Sequence, residues 1–473
     1  MLAFALRLGG ALFFPNKFQH DEIFQVLEPA HRLWTGWGIV AWEFREGIRS
    51  WLLPAFLSVV MGAAGQLGAS PRVYLLAVAA LLSLLSLAVV VCGYRVADRR
   101  LGGHAGFVVG FICAIWTDLV YFGPKTLTEV IAAHVLVISA YLAEPVTSED
   151  RVERSRLVGI GALLGLVFVL RFHLSLVLLL VAVWTCRVQV RERWLWLIAG
   201  ALVPVLIGGA VDFATLGTPF QSVWKNIWIN VVEGKSNIYG EESVFWYVTQ
   251  TYQTWKIGIV PIFICFLIGA RVSPLFALCA VAVWATHMPL AHKEMRFIYP
   301  STPFIIIVAG MGSMVIVRWA KERYPRLGEG RLVLAVLGAW VALSALENAT
   351  WVYRRNWTEG TNLFRAEWAA HGKPDLCGIG LVGIEWFAGG YTHLHRPVPM
   401  YIYNQPYFGP HIETLDARQT GAFNYALTTG RKPLSPEFAI EQCWGGVCLQ
   451  RRAGACVPTP EFEVNTVLQK YGN

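Results

Sequence analysis

The chain has 473 residues, of which 55% are hydrophobic and 15% charged, with a mean hydropathy of +0.49 and a formal net charge of +8. An ordinary soluble domain carries roughly 25% charged residues, so this composition excludes a soluble multidomain enzyme and points to a polytopic membrane protein. The basic residues fall in short clusters between apolar runs, a topological pattern that calls for no nucleic acid partner.

Apolar runs at 1–14, 73–94, 104–121, 127–143, 156–171, 172–187, 194–214, 254–270, 273–290, 298–317 and 332–349 predict about 11 transmembrane helices. With that count the basic connectors share one side: Arg95, Arg99 and Arg100; Arg151, Arg154 and Arg156; Arg187, Arg191 and Arg193; Arg271; and Arg318 to Arg331. The positive-inside rule makes that side cytoplasmic and puts the loops at 15–72, 122–126, 215–253 and 291–297, with the tail from 350, on the other face. Counting Trp51 to Gly68 as a crossing would invert every later loop, so this Pro54-interrupted run is read as re-entrant or interfacial. The first span has about 14 residues before Pro15, short of the roughly 20 a crossing needs, so it is expected to be tilted or to start upstream of Met1. No small-residue cleavage site follows it, unlike a signal peptide, and no internal repeat is visible. The expected architecture is an all-α polytopic fold: a membrane module over 1–349, with interfacial helices in its first outer loop, and a small extracytoplasmic domain over 350–473.

Five cysteines, Cys92, Cys113, Cys186, Cys265 and Cys279, sit in apolar runs as small buried residues. The other four, Cys377, Cys443, Cys448 and Cys456, lie in a tail placed where disulfides persist, and three connectivities are open to them. A zinc site is disfavoured because the 443–448 spacing is not CxxC. Asn348 and Asn356 head N-x-T sequons, which matter only if the host glycosylates there.

The unusual polar residues collect in the outer loops. His20, Asp21 and Glu22 follow the first span directly, at the depth of a lipid head group. Glu28, His31 and Arg32 then alternate at helical spacing with Ile23, Leu27 and Ala30, predicting an amphipathic helix along the membrane, with Trp34, Trp37, Trp42 and Trp51 as interfacial anchors. A carboxylate at the membrane face can take the proton of an acceptor hydroxyl while a lipid-linked sugar is presented from the bilayer, with no cofactor. The leaving group is then a phosphate, which wants cations, and Lys125, Arg171, His292, Lys293 and Arg296 all fall at outer ends of spans. A metal on His287, His292 and Glu294 is disfavoured, because that spacing lacks the i, i+4 helical geometry of the hydrolase motif. The aromatic stretch from Trp224 to Tyr247 reads equally as a loop packed over a site or as an interfacial helix.

The run HDEIFQVLEPAHRLWTGWGIVAWEFREGIRSWLLP resembles the first luminal loop of the family 22 glycosyltransferases, and AHKEMRFIYP resembles their HKE-x-RF-x-x-P loop. PKTLTE and NIYGEESVFWYV are similar to two further segments, so the resemblance covers residue 16 to about 300. It implies a GT-C fold and the activity of polyprenyl- or dolichyl-phosphate-mannose-dependent α-mannosyltransferases, the GPI mannosyltransferase 3-like proteins among them. Carried over by position, it makes Asp21 the general base with Glu22 beside it, gives the donor phosphate to His292, Lys293 and Arg296 with Arg171 and Lys125, and leaves His20, Glu43, Arg49 and Glu294 in support or on the acceptor side. It also implies inversion at the anomeric carbon and a glycan or glycolipid acceptor. The chain departs from the pattern where Gln19 directly precedes His20 without the usual proline, where AWEF replaces TWEW, and where HKEMR replaces HKEER.

The alternatives are a GT-C enzyme using another lipid-linked sugar or a protein acceptor, a lipid or sugar transporter, and a membrane subunit without chemistry. A transporter concentrates ionisable groups at mid-membrane in broken helices, whereas here they gather at span ends. Short loops and an Ala-, Gly- and Arg-rich composition lead us to expect a bacterial inner-membrane protein with a periplasmic site; the eukaryotic version faces the lumen of the endoplasmic reticulum.

Overall fold

The computed structural model describes residues 1–471 apart from 69, 150, 386–388, 406–411 and 413. It is mostly helical and divides into two compact units, one of Met1–Gly10 with Ala79–Arg354 and one of Ala11–Val78 with Arg355–Asn473. The sequence boundary at 349 and 350 lies close to the second break, but the first loop belongs with the tail, a grouping that the linear order of the chain conceals.

Every apolar run falls on a helix. Among the described residues, six helices are long and apolar enough to cross a membrane: Pro71–Leu101, Thr128–Ser148, Val190–Leu216, Trp246–Gly269, Met295–Arg323 and Glu329–Asn348. Leu2–Phe13, Ala105–Ile115, Phe172–Cys186 and Pro274–His287 are apolar but shorter, and Arg154–Leu170 has 17 residues. The chain is thus a multi-pass membrane protein.

Within the first unit, small residues let helices touch backbone to backbone. A Cβ on Gly161 would lie 1.9 Å from the Leu197 carbonyl, and one on Gly312 would lie 1.8 Å from that of Cys265. Such contacts replace the hydrophobic drive that is missing between helices in lipid. The basic connectors meet at one end of this unit. The buried Glu144 carboxylate takes both Arg99 and Arg100. Arg193 donates to the carbonyls of Thr185 at 2.9 Å and Glu149 at 2.8 Å, and Arg156 pairs with the Glu149 side chain at 2.8 Å. Arg318 reaches the Leu101 carbonyl.

In the second unit a helix runs from Asp21 to Thr35, with a π-turn over Ile23–Leu27. This helix does not lie along a surface as expected, because its polar side is buried too: Glu28 and His31 are both 0% exposed. Glu28 accepts from the backbone N–H groups of Ile39 at 2.8 Å, Tyr391 at 3.2 Å and Thr392 at 2.8 Å, and from the Thr392 hydroxyl. His31 Nε2 lies 2.9 Å from His395 Nδ1. The expectation for two tryptophans is corrected likewise: Trp34 stacks on His395 with ring centroids 5.3 Å apart, and Trp37 meets Tyr391 edge-on at 5.4 Å. Helical periodicity shows that a face is polar; it does not show whether water or a protein partner satisfies it. The Leu52–Gly65 helix packs here through Gly62 and Gly65, which seat the Trp34 ring.

The tail corrects the all-α expectation. It carries a five-stranded sheet of β1 (Ile379–Val382), β2 (Met400–Tyr403), β3 (Tyr425–Thr429), β4 (Phe438–Trp444) and β5 (Val447–Arg452), in the order β2-β1-β3-β5-β4. β1 runs parallel to β2 and β3, while β5 runs antiparallel to β3 and β4. The three parallel strands are almost wholly buried, so they lack the period-two alternation that announces a strand. β4 and β5 turn through Gly445 and Gly446, with φ of 55° at Gly445. Disulfides join Cys377 to Cys456 and, across that hairpin, Cys443 to Cys448.

Two stability predictions follow from the second unit. The disulfides close loops with sequence separations of 79 and 5 residues, for which chain entropy alone gives about 4.5 and about 2 kcal/mol. The double Cys377→Ser, Cys456→Ser variant therefore loses more thermal midpoint than Cys443→Ser, Cys448→Ser, measured by tryptophan fluorescence in detergent. Burial, aided by neighbouring His395, holds the His31 imidazole down at about 3 from 6.5. Between those values the unfolded chain binds a proton that the folded chain refuses, so this term removes stability as pH falls through the window. His31→Gln gives a shallower decline of the thermal midpoint between pH 6.5 and 4.5 than the native chain.

Candidate active site

The second unit holds the acidic loop. Asp21 and Glu22 open the helix that runs to Thr35, and both are buried. Their surroundings differ. Glu22 Oε1 accepts the backbone N–H groups of Phe18 at 2.5 Å and Gln19 at 3.3 Å, which fixes the turn entering the helix. Asp21 Oδ1 lies 3.3 Å from Nε2 of the exposed His20. One helical turn on, inside the π-turn, Gln25 Nε2 donates to Glu43 Oε1 at 2.9 Å. Burial pushes the Glu43 carboxyl up, the Asp21 charge adds to the push, and the Arg49 guanidinium opposes it. This loop thus places two carboxyls, Asp21 and Glu43, within electrostatic reach of each other, a setting in which their titrations are linked.

The first unit holds the cations. Glu129 stands in the first turn of the helix Thr128–Ala143 and is 1% exposed. Its Oε1 lies 2.8 Å from Arg171 Nη2 and 3.6 Å from Arg296 Nε. Arg171 is free to turn toward it because the helix Arg154–Leu170 ends one residue earlier. Arg296 forks onto Glu294 through Nε and Nη2, both at 2.9 Å. His292 Nε2 meets Glu294 Oε1 at 3.2 Å. The Phe297 ring lies 5.2 Å from each of the two guanidinium carbons. Burial alone would raise the Glu294 carboxyl, but Arg296 and the hydrogen bonds from His292 and Arg296 outweigh it and hold it well below the usual carboxylate range. The hydrogen bond to Glu294 raises His292 in turn, against its burial.

The stretch after Trp224 packs onto this cluster. The Gly240 carbonyl lies 3.2 Å from His292 Nδ1, and Lys293 Nζ donates to the Glu242 carbonyl at 3.2 Å and to that of Leu290. Its other side is apolar and exposed at Trp224, Ile227, Trp228, Val231 and Val232. Both readings left open for this segment therefore describe part of it. Lys125 is buried, with its ammonium 4.8 Å from the centre of the Tyr121 ring.

Of the residues expected at the site, the first unit joins Glu294, Arg296 and His292 by hydrogen bonds, Arg171 to them by ion pairs through Glu129, and sets Lys293 on the flank; the second joins His20 with Asp21, and Glu43 with Gln25. Sequence reading missed Glu129, although the PKTLTE segment that ends on it was noted, and it missed Gln25. Glu129 could have been found by asking which carboxylate compensates two arginines at span ends.

Residues 1–351 match the family model described as the Alg9-like mannosyltransferase family. The chain is 28% identical over 309 residues to GPI mannosyltransferase 3 of Yarrowia lipolytica, covering 64% of this chain and 60% of that protein. It is 23% identical over 421 residues to GPI alpha-1,2-mannosyltransferase 3 of Homo sapiens, covering 85% and 70%. The chain thus spans under two thirds of the fungal relative's length. Among solved structures it is similar to ArnT from Cupriavidus metallidurans bound to undecaprenyl phosphate, with a TM-score of 0.63, 13% identity, and 97% and 98% of the two chains covered. That likeness is one of fold. With three quarters of its length matched, the chain belongs to the Alg9-like mannosyltransferase family.

Proposed function

We propose that the protein is a membrane-embedded inverting mannosyltransferase that moves mannose from a polyprenyl-phosphate donor to a hydroxyl of a glycan or glycolipid. The observation that carries this reading is the cluster of buried Arg171, Lys293 and Arg296 with the half-buried His292 in a member of a mannosyltransferase family. An anionic leaving group needs cations whose geometry is fixed before the bond breaks, and guanidiniums already held by carboxylates cost little to reorganise. In this reading Asp21 takes the proton of the acceptor hydroxyl as that oxygen attacks the anomeric carbon. The sugar–phosphate bond breaks with its electron pair on the phosphate oxygen, which the cationic cluster receives. Glu22 serves the turn that presents Asp21, and His20 and Arg49 tune the acidic loop. Lys125 stands on the donor side. The curated relatives' names favour a GPI-type glycolipid as acceptor. We assign the catalytic machinery to the membrane module, with the first loop as its acidic part and the disulfide-bonded tail as its extracytoplasmic domain. The site then faces the periplasm in a bacterium and the lumen in a eukaryote.

Transfer from synthetic polyprenyl-phosphate mannose to a membrane lipid extract, read by mass spectrometry, tests the reading. The native protein adds a hexose to one lipid class. Asp21→Asn lowers kcat by about 10²–10⁴, the range of a lost general base. Arg296→Gln raises KM for the donor and leaves KM for the acceptor near its native value. Product made only from a different lipid-linked sugar would overturn the mannose assignment, and equal rates from Asp21→Asn would overturn the base.

The electrostatic link between Asp21 and Glu43 gives a pH test. Burial and the Asp21 charge push the Glu43 carboxyl up, so Glu43 takes its proton first as pH falls. Glu43→Gln removes that carboxyl while keeping the acceptor that Gln25 uses, so the rate at neutral pH stays within a few-fold of native. The acid limb of kcat/KM keeps its position, because Glu43 is already neutral when the general base titrates; a limb that moves in Glu43→Gln would show the pair taking protons in the other order.

A further inference from the structure

We propose that Glu129 sets the charge of the cationic cluster so that it accepts a singly charged phosphodiester and lets go of a doubly charged phosphomonoester. The proposal rests on the donor reading above. Its starting point is an oddity. Glu294 already fixes Arg296, yet a second carboxylate, Glu129, is 1% exposed and lies 2.8 Å from Arg171 and 3.6 Å from Arg296, where it cancels charge that would attract a phosphate. Thr128 Oγ1 lies 3.1 Å from its other oxygen. Glu294 forks onto Arg296 on the far side. Two guanidiniums therefore face two carboxylates and cancel, so the net positive charge offered to a ligand comes from the lysines, Lys293 among them.

The chemistry of the transfer explains the balance. The donor phosphate is esterified twice and carries one negative charge. When the sugar–oxygen bond breaks, its electron pair stays on the phosphate oxygen, and the departing lipid phosphate is a monoester carrying about −1.5 to −2 at neutral pH. Product is thus the more anionic ligand, and uncompensated arginines would hold it more tightly than the next donor molecule. Glu129 repels the second charge of the product once more than it repels the donor. It acts through the arginines and is a positioning and selectivity residue; no contact with the reacting atoms is assigned to it.

The test uses two probes that share one chain and differ in charge: undecaprenyl phosphate and its methyl ester. Inhibition of mannose transfer by each is measured at constant pH for native protein, Glu129→Gln and Glu129→Asp. Glu129→Gln binds the monoester about tenfold more tightly, gains little on the methyl ester, and turns over more slowly because product leaves slowly. Glu129→Asp keeps the charge and the native ratio of the two inhibition constants. Equal changes for both probes in Glu129→Gln, or weaker monoester binding, would overturn the proposal, since a merely structural role disturbs both alike. If Glu129→Gln fails to fold, Glu294→Gln removes the partner charge and must shift the ratio the same way, failure to do so counting against the proposal. Arg296→Gln separates the two readings: if it leaves inhibition by both probes unchanged, the phosphate is not held at this cluster and the donor assignment itself falls.

Discussion

The buried carboxylate of Glu28 is the interaction on which the second unit depends. A charge taken out of water is costly unless its lone pairs are filled, and here three backbone N–H groups and a hydroxyl fill them. Two of the donor residues, Tyr391 and Thr392, are more than 360 positions away along the chain. The carboxylate therefore ties the loop that carries Asp21 to the tail, and it does so seven residues beyond Asp21 on the same helix. Tyr74 adds a second tie by donating to the Thr392 carbonyl. A tail that looks like an appendage in the linear sequence is the wall against which the acidic loop is set.

In the first unit the recurring rule is that an arginine is held by a carboxylate, while Lys293 rests on backbone carbonyls. Arg171 has Glu129, Arg296 has Glu129 and Glu294, and the Arg99 and Arg100 pair has Glu144. Glu43, in the acidic loop, stands differently. It is buried beside another carboxyl, with Gln25 and Arg49 as its support. The first unit thus fixes its arginines against carboxylates, whereas the acidic loop keeps Glu43 pushed up by burial and by the Asp21 charge.

Much of this was legible in the sequence, for physical reasons. Apolar runs of span length show up without alignment because lipid tolerates little else. The grouping of charges is visible in contacts: Arg99, Arg100, Arg156, Arg193 and Arg318 sit in one set of contacts, while Arg171, His292 and Arg296 sit in another. What was not legible depended on partners remote in sequence. The polar face of the Glu28–Thr35 helix looks the same whether water or Thr392 satisfies it. Strands buried on both faces, such as Met400–Tyr403, resemble any short apolar run. Glu129 carries no mark of its function until two arginines from other segments arrive beside it.

The distance between Glu28 and Thr392 also shapes how the protein is made. The helix that carries Asp21 is complete early in synthesis, but the donors that satisfy Glu28 and the ring that meets His31 come 364 residues later. At roughly 5–20 residues per second that interval is on the order of tens of seconds. Through it the most important loop of the enzyme has no place to bury its acid. A chain truncated between about 350 and 390 retains all of the long apolar helices and still cannot finish its first loop.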